Sequence, residues 1–295
     1  DGRIIYTRWD YINRHDTVYQ SLWTIRPDGT RTQHFFGNST RNPCMIAEAH
    51  AVPGSDKVVA TAMAHHSYTT GSIILISADR GEDGIDSIER VTPETAFPET
   101  EGYPAGTYAN PWPINEQLFL AAWQPNKMAH QGQVQEREAY GIYLVDTLGG
   151  RELIYRDDDI SCWSPIPLRP RAIPPALPSH VAQDEKAKDA TGVLFIQNVN
   201  LTRVAGLQPG SVKSIRVNEI FGQPARSKRQ ASAAQNEIIK GTLGTARVAD
   251  DGSVAVRIPA GVPLQLQALD ANGMAVLTMR SVLYVQPGET LSCAG

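Results

Sequence analysis

The sequence predicts an all-β protein, with partial β-propeller blades followed by a β-sandwich-like domain. Three observations carry this expectation. Short apolar runs recur in a constant order through the first half, each closed by turn residues. Breakers are dense and scattered, with 24 Gly and 20 Pro in 295 residues, which disfavours long helices. Alternating apolar runs resume after a proline-rich interruption. With 41% hydrophobic residues the chain can bury one large or two ordinary cores. A disordered polymer and a small disulfide scaffold are excluded on the same ground.

The first half reads as units of short strands. Opening strands are expected at Ile4–Trp9, Val58–Ala64 and Leu118–Trp123, and second strands at Ser21–Ile25, Ser72–Ile76 and Gly141–Val145. Turns follow at Pro27-Asp28-Gly29-Thr30, Ala78-Asp79-Arg80-Gly81 and Thr147-Leu148-Gly149-Gly150, where Asp-Gly and Gly-Gly accept positive φ without a Cβ clash. A third strand is clearest at Ser87–Val91 and Glu152–Tyr155. Units of this size in series are expected to be about three propeller blades spanning residues 1–163. Three blades do not close a ring. With Asp1-Gly2 entering a strand at once, and Ser292-Cys293-Ala294-Gly295 following a turn, the chain reads as an internal piece of a longer protein.

Proline then dominates, at Pro165, Pro167, Pro170, Pro174, Pro175 and Pro178, and predicts a stiff extended linker over residues 164–190. Strands are expected again over 191–295: Gly192–Val199, Ser211–Val217, Ala246–Val248, Ser253–Ile258, Leu264–Leu269 and Ala275–Val285. Asp251-Gly252 and Asn272-Gly273 are hairpin signals between them. The stretch between Gln223 and Asn236, with Arg226, Lys228 and Arg229, reads as a solvated loop or as a contact for an acidic partner.

Composition limits the partners. A net charge of −4 argues against nucleic acid, and no apolar run approaches the ~20 residues of a membrane helix. No Gly-rich phosphate loop, nucleophile elbow or glycosidase-like carboxylate pair is present. His65-His66 ends a strand. Side chains alternate along a strand, so only one of the two is expected in any given pocket. His50, His15 and Asp10 are expected on loops at the same end of the propeller. Imidazoles and carboxylates gathered there would suit Zn²⁺ or another divalent metal, and the competing reading has them hydrogen-bonding blade-edge backbone. Cys44 and Cys162 occupy similar places in successive units and are either a disulfide pair or two buried thiols. Cys293 would begin a C-x-x-C-H haem attachment motif, of which only the first cysteine lies within the chain.

Several stretches together resemble the alpha subunit of hydrazine synthase and its relatives. In the first half these are Ile5-Tyr6-Thr7-Arg8-Trp9-Asp10-Tyr11, Ala51-Val52-Pro53-Gly54-Ser55-Asp56-Lys57, Ala64-His65-His66-Ser67, Arg90-Val91-Thr92-Pro93-Glu94, Ala109-Asn110-Pro111-Trp112-Pro113 and Ser161-Cys162-Trp163-Ser164-Pro165. In the second they are Asp251-Gly252-Ser253, Gln267-Ala268-Leu269-Asp270-Ala271, Met279-Arg280-Ser281 and Gln286-Pro287-Gly288-Glu289-Thr290-Leu291-Ser292-Cys293. The resemblance implies TolB-like propeller blades followed by the hydrazine synthase alpha middle domain. It further implies a periplasmic or secreted multidomain c-type cytochrome with haem c attached at Cys293. Other domains or chains of the same protein, and a redox partner, would surround it. Two functions follow as expectations: electron transfer or haem-dependent oxidoreductase chemistry beside the propeller, or a non-enzymatic module binding a protein or glycan. In the first, Cys293 is expected between the two domains, facing the loops of Asp10, His15, His50 and His65 or His66.

Overall fold

The computed structural model of the chain describes residues 1–9, 20–43, 45–130, 133, 136–181, 190–202, 206–222, 239–279 and 281–294. Asp10, His15, Asp16, Cys44 and the basic residues Arg226, Lys228 and Arg229 lie outside the described residues. Among the described residues the chain is all-β. Helical structure is limited to 3-10 turns at Ala78–Arg80 and Ile85–Ser87. No helix is long and apolar enough to cross a membrane.

The first half folds as three antiparallel meanders in series. Strands β1 (Ile4–Trp9), β2 (Gln20–Ile25) and β3 (Gln33–Phe36) form the first. The second is β4 (Ile46–Ala51), β5 (Val58–Met63), β6 (Gly71–Ile76) and β7 (Ile88–Arg90), and the third is β8 (Ala105–Pro113), β9 (Leu118–Lys127), β10 (Gly141–Asp146) and β11 (Arg151–Tyr155). The expected turn chemistry operates between β2 and β3. There the Asp28 carboxylate accepts from the Thr30 N–H at 3.0 Å, and Gly29 takes φ +81°. Closure of the meanders into a ring is not seen among the described residues.

The repeat is one strand longer than the sequence indicates, because β4 and β8 begin the second and third meanders. Both are irregular. Their registers shift between Ala47 and His50 and between Ala109 and Trp112, and at those bulges Glu48 (φ +57°) and Asn110 (φ +50°) adopt left-handed backbone. Pro111 and Pro113 further disguise β8, since proline cannot donate to a ladder.

Those two bulges face each other. The half-buried Glu48 carboxylate accepts the Asn110 N–H at 2.6 Å and the Thr61 hydroxyl at 2.8 Å, and also binds the Asn110 side-chain amide. Asn110 Oδ1 in turn accepts the N–H of Ser164, itself at φ +51°, at 3.2 Å. The bridge adds to a thin backbone pairing: among the described residues the second and third meanders pair at Gly71 with Tyr108 and at Ser67 with His130. A Cβ on Gly71 would lie 1.9 Å from the carbonyl oxygen of Ala62 in β5, so glycine is what lets β5 and β6 run this close at the position where Tyr108 pairs.

Strands β5 and β6 of the second meander are buried on both faces. Leu22, Phe36, Val58, Ala60, Ile74 and Ile76 pack in the seam with the first meander. Val59, Ile73 and Leu75 pack with Tyr108, Phe119, Tyr143 and Val145 in the seam with the third. This is why β5 and β6 read as continuous apolar runs, while β10 alternates. Each large apolar side chain buried there contributes about 1.5–3 kcal/mol.

Residues 164–181 contain no strand or helix; the stretch starts at Asn110 and Trp112 of β8, where Arg171 stacks, and its later part runs along the first meander. Arg26 donates to the Pro178 carbonyl at 2.7 Å, and the His180 N–H donates to Asp28 at 2.7 Å. Beyond it, β12 (Thr191–Ile196), β15 (Val254–Pro259) and β18 (Thr290–Cys293) form one sheet. A second holds β13 (Ser214–Phe221), β14 (Ile239–Arg247), β16 (Leu264–Leu269) and β17 (Ala275–Thr278). Leu194, Ile196, Val254, Ile258 and Leu291 from the first share one core with Ile215, Val217 and Leu264 from the second. The expected strand over Ala275–Val285 stops at Thr278, and the chain returns through a lone Leu264–Leu283 bridge. The pairing of β18 with β12 is parallel, which local periodicity does not reveal.

Glu48→Ala would leave the Asn110 amide without its acceptor in a buried seam. A loss of about 2–3 kcal/mol in unfolding free energy is expected, read as a lower urea midpoint. Thr61→Ala, which removes a single bond to the same carboxylate, is expected to cost about 1 kcal/mol.

Candidate functional site

Strand β18 carries Cys293 to the junction between the first meander and the C-terminal sheets. Its backbone is held by β12: Gln197 N–H donates to the Cys293 carbonyl at 2.9 Å, and Asn198 N–H to that of Ala294 at 3.0 Å. The thiol lines a cavity of about 540 Å³ whose opposite wall comes from β1, β2 and β3, with Arg8, Trp23, Arg31 and His34. Burial pushes the thiol pKa above its ordinary 9.0. Cys293 therefore stays protonated at neutral pH.

The wall opposite Cys293 is ordered by a few polar contacts. The Arg8 guanidinium lies 4.4 Å from the Trp23 ring centroid and donates to the Val282 carbonyl at 2.5 Å. His34 meets Trp23 edge-on at 5.6 Å, and its Nε2 accepts the Asn38 N–H at 3.0 Å. That acceptance leaves the His34 proton on Nδ1, which faces the Glu82 carboxylate at 3.8 Å. Glu289 joins the two sides. It is 3% exposed, and its two oxygens accept the Arg31 N–H at 2.6 Å and the Gln286 N–H at 2.8 Å. A carboxylate so placed, with Arg31 at φ +54°, fixes how the C-terminal sheets seat on β3.

A second polar group sits elsewhere. His65 and His66 occupy the turn after β5, not the strand itself, so side-chain alternation does not separate them. Both converge on Glu99 from the loop before β8, and the three ligand atoms lie within 4.8 Å of one another. His65 Nδ1 is 3.1 Å from His66 Nε2, and Glu99 contacts His66 Nδ1 and the His65 N–H, each at 2.5 Å. Burial, and then the neighbouring His66, lower the His65 pKa. Burial works against the charged form of Glu99, but the His65 N–H and the His66 ring outweigh it and hold its pKa below the usual range.

Comparison with known proteins matches residues 210–295 to the family described as hydrazine synthase alpha subunit middle domain. The C-terminal sheets resemble that domain. A solved chain of Kuenenia stuttgartiensis hydrazine synthase superposes on all of this chain with a TM-score of 0.78 and 17% identity. At that identity the likeness shows a shared fold. This chain spans 42% of that one. Comparison with curated proteins finds no match. The stretch that matches the hydrazine synthase alpha subunit middle domain contains β18, and with it Cys293.

The residues singled out from the sequence are distributed over three places. His65 and His66 are brought together, while His50 lies inside β4, opposite Val59, rather than on a loop. Its ring packs on Trp112 at 4.9 Å, and burial lowers its pKa. The histidine that shares the cavity with Cys293 is His34; His50, His65 and His66 do not line it. Cys162 is a free thiol among the described residues. Glu99, Glu289, Arg8, Arg31 and His34 were not legible as site residues. Each is an ordinary polar residue whose partners lie far away in sequence, although Glu289 follows a turn signal in Pro287-Gly288.

Glu289→Ala is expected to leave the Arg31 and Gln286 N–H groups unpaired and to cost about 1.5–3 kcal/mol in stability. Limited proteolysis should cut within residues 164–190 faster in this variant. Alkylation of Cys293 by iodoacetamide, followed by peptide mass spectrometry, should reach half its maximal rate only above pH 9.

Proposed function

We propose that the chain is the propeller and middle-domain portion of a periplasmic or secreted, multidomain c-type cytochrome-like protein. Its parts would be a blade portion over residues 1–163, a linker over 164–190 and the middle domain over 191–295. The cavity beside Cys293 would receive a haem that serves electron transfer or redox catalysis. The observation that carries this reading is the position of Cys293, in a cavity walled by both β portions.

The residues present suit such a group. The cavity falls within the range of about 300–1,000 Å³ usual for cofactor sites. Trp23, Leu283, Tyr284 and Leu291 offer apolar surface to a macrocycle, and Arg8 and Arg31 place cations where its carboxylates would be favoured. Cys293 offers one thiol for a thioether. A haem bound there would supply one-electron chemistry. Glu289 would keep the two walls in register, and Trp23 with His34 would limit water on the β2 and β3 side. Other domains or chains of the same protein, and a redox partner, would complete the assembly.

A second reading, a non-enzymatic binding module, draws on β11. This edge strand leaves Leu153, Ile154 and Tyr155 exposed, and no strand pairs with its outer side among the described residues.

The full-length protein carrying this chain, produced in a host that matures c-type cytochromes, is expected to show a Soret band and to keep haem through denaturing electrophoresis. Cys293→Ser should lower the covalent haem count by one per chain in a pyridine haemochrome assay. A full-length protein without Soret absorbance overturns the haem reading and leaves the binding module.

A further inference from the structure

We propose that His65, His66 and Glu99 form a binding site for a divalent transition metal, separate from the Cys293 cavity and independent of whether that cavity takes a haem. Three features of the group argue for a metal.

The first is convergence from rigid elements. His65 and His66 follow β5, whose residues are buried throughout. Glu99 sits in a tight loop with φ +64°, closed by its N–H donating to the Gly102 carbonyl at 2.9 Å. The neighbouring Glu101 braces that loop by accepting from Phe97 N–H at 2.9 Å and from Arg90 at 3.0 Å. A non-glycine residue held in left-handed backbone at a cluster of ligand-type side chains is a common mark of a functional position.

The second is spacing. With metal–ligand bonds of about 2.0–2.1 Å, neighbouring ligands of a tetrahedral ion stand about 3.3 Å apart. His65 Nδ1 and His66 Nε2 stand 3.1 Å apart, facing each other.

The third is orientation. Glu99 Oε1 receives the proton of His66 Nδ1, and Tyr103 donates to the same carboxylate at 3.2 Å. In neutral His66 the lone pair is then on Nε2, the atom turned toward His65. A carboxylate fixing one ring nitrogen so that the other can ligate is the usual support of a metal-bound histidine. Glu99 is also close enough to ligate directly. His130 stacks on His66 at 6.2 Å, which places a third imidazole beside the group.

The donor set selects the ion. Two imidazoles and a carboxylate suit Zn²⁺, Co²⁺, Ni²⁺ or Fe²⁺, while Mg²⁺ and Ca²⁺ prefer oxygen alone. His66 is exposed, so an ion can enter from solvent. The competing arrangement is a ring-to-ring hydrogen bond with no metal, and affinity separates the two.

The test is isothermal titration of the metal-stripped 295-residue chain with Zn²⁺ and with Co²⁺, alongside Mg²⁺. One site per chain is expected for Zn²⁺ and Co²⁺, with no heat from Mg²⁺. The Co²⁺ complex should show ligand-field bands without thiolate charge transfer. His66→Ala, at an exposed position, should abolish that site with the fold retained by circular dichroism. Glu99→Gln should weaken it about 10–100-fold. His50→Ala and Cys293→Ser should leave it unchanged. Absence of stoichiometric Zn²⁺ binding, its persistence in His66→Ala, its loss in Cys293→Ser, or thiolate bands in the Co²⁺ spectrum would each overturn the proposal.

Discussion

The seating of the third meander on the second depends on polar bonds across their seam, and the Glu48 carboxylate makes two of them. The two meanders share little backbone pairing, so side chains must help set their relative position. Glu48 does so from the bulge of β4 by holding both the main chain and the side chain of Asn110 in β8, beside the Thr70 bonds to Tyr108 and Tyr140. Burial pushes the Glu48 pKa up against those hydrogen bonds, so the group is held in the seam at a cost in solvation. The gain is geometric. Apolar seams fix how closely two sheets approach, but they slide easily; a carboxylate satisfied by donors from two strands fixes the register as well. Asn110 then passes the same role to Ser164, which ties the start of the proline-rich stretch to the same line.

The two polar sites differ in what holds them. Glu289 works at a boundary between packed units, and its bonds to Arg31 and Gln286 tie the turn before β18 to the loop before β3. Cys293 faces the cavity because of that seating and because β18 runs parallel to β12. His65, His66 and Glu99 belong to one meander and the loop leading out of it. Their geometry is therefore local and does not depend on how the C-terminal sheets dock. The two sites can form separately, with different chemistry expected at each.

Much of the fold was legible because strand periodicity and turn chemistry are local. The apolar runs of β5, β6, β9 and β10, and the Asp-Gly and Asn-Gly turns of the C-terminal sheets, announce themselves within a few residues. β4 and β8 were hidden because bulges, prolines and left-handed residues break their period. Those irregularities are the feature that lets Glu48 and Asn110 meet. The sites were less legible. His65 and His66 attract notice as residues, but alternation argued against their joining, since nothing local reveals that the strand ends at Met63. Glu99 becomes a partner only through the fold of a loop 33 residues away from His66. Long-range pairings of this kind leave no mark in composition.

The junction at Gly71 and Tyr108 has a consequence for descent. Units that meet through two isolated backbone pairs and a few side-chain bonds can be copied in tandem or exchanged without unravelling a long shared ladder. What a duplicated unit must keep is small: a polar side chain at the bulge of its opening strand that can pair with the next unit. Loop length between units is then nearly unconstrained. The left-handed position at the bulge of the opening strand recurs in both units, while its side chain changes from the carboxylate of Glu48 to the amide of Asn110.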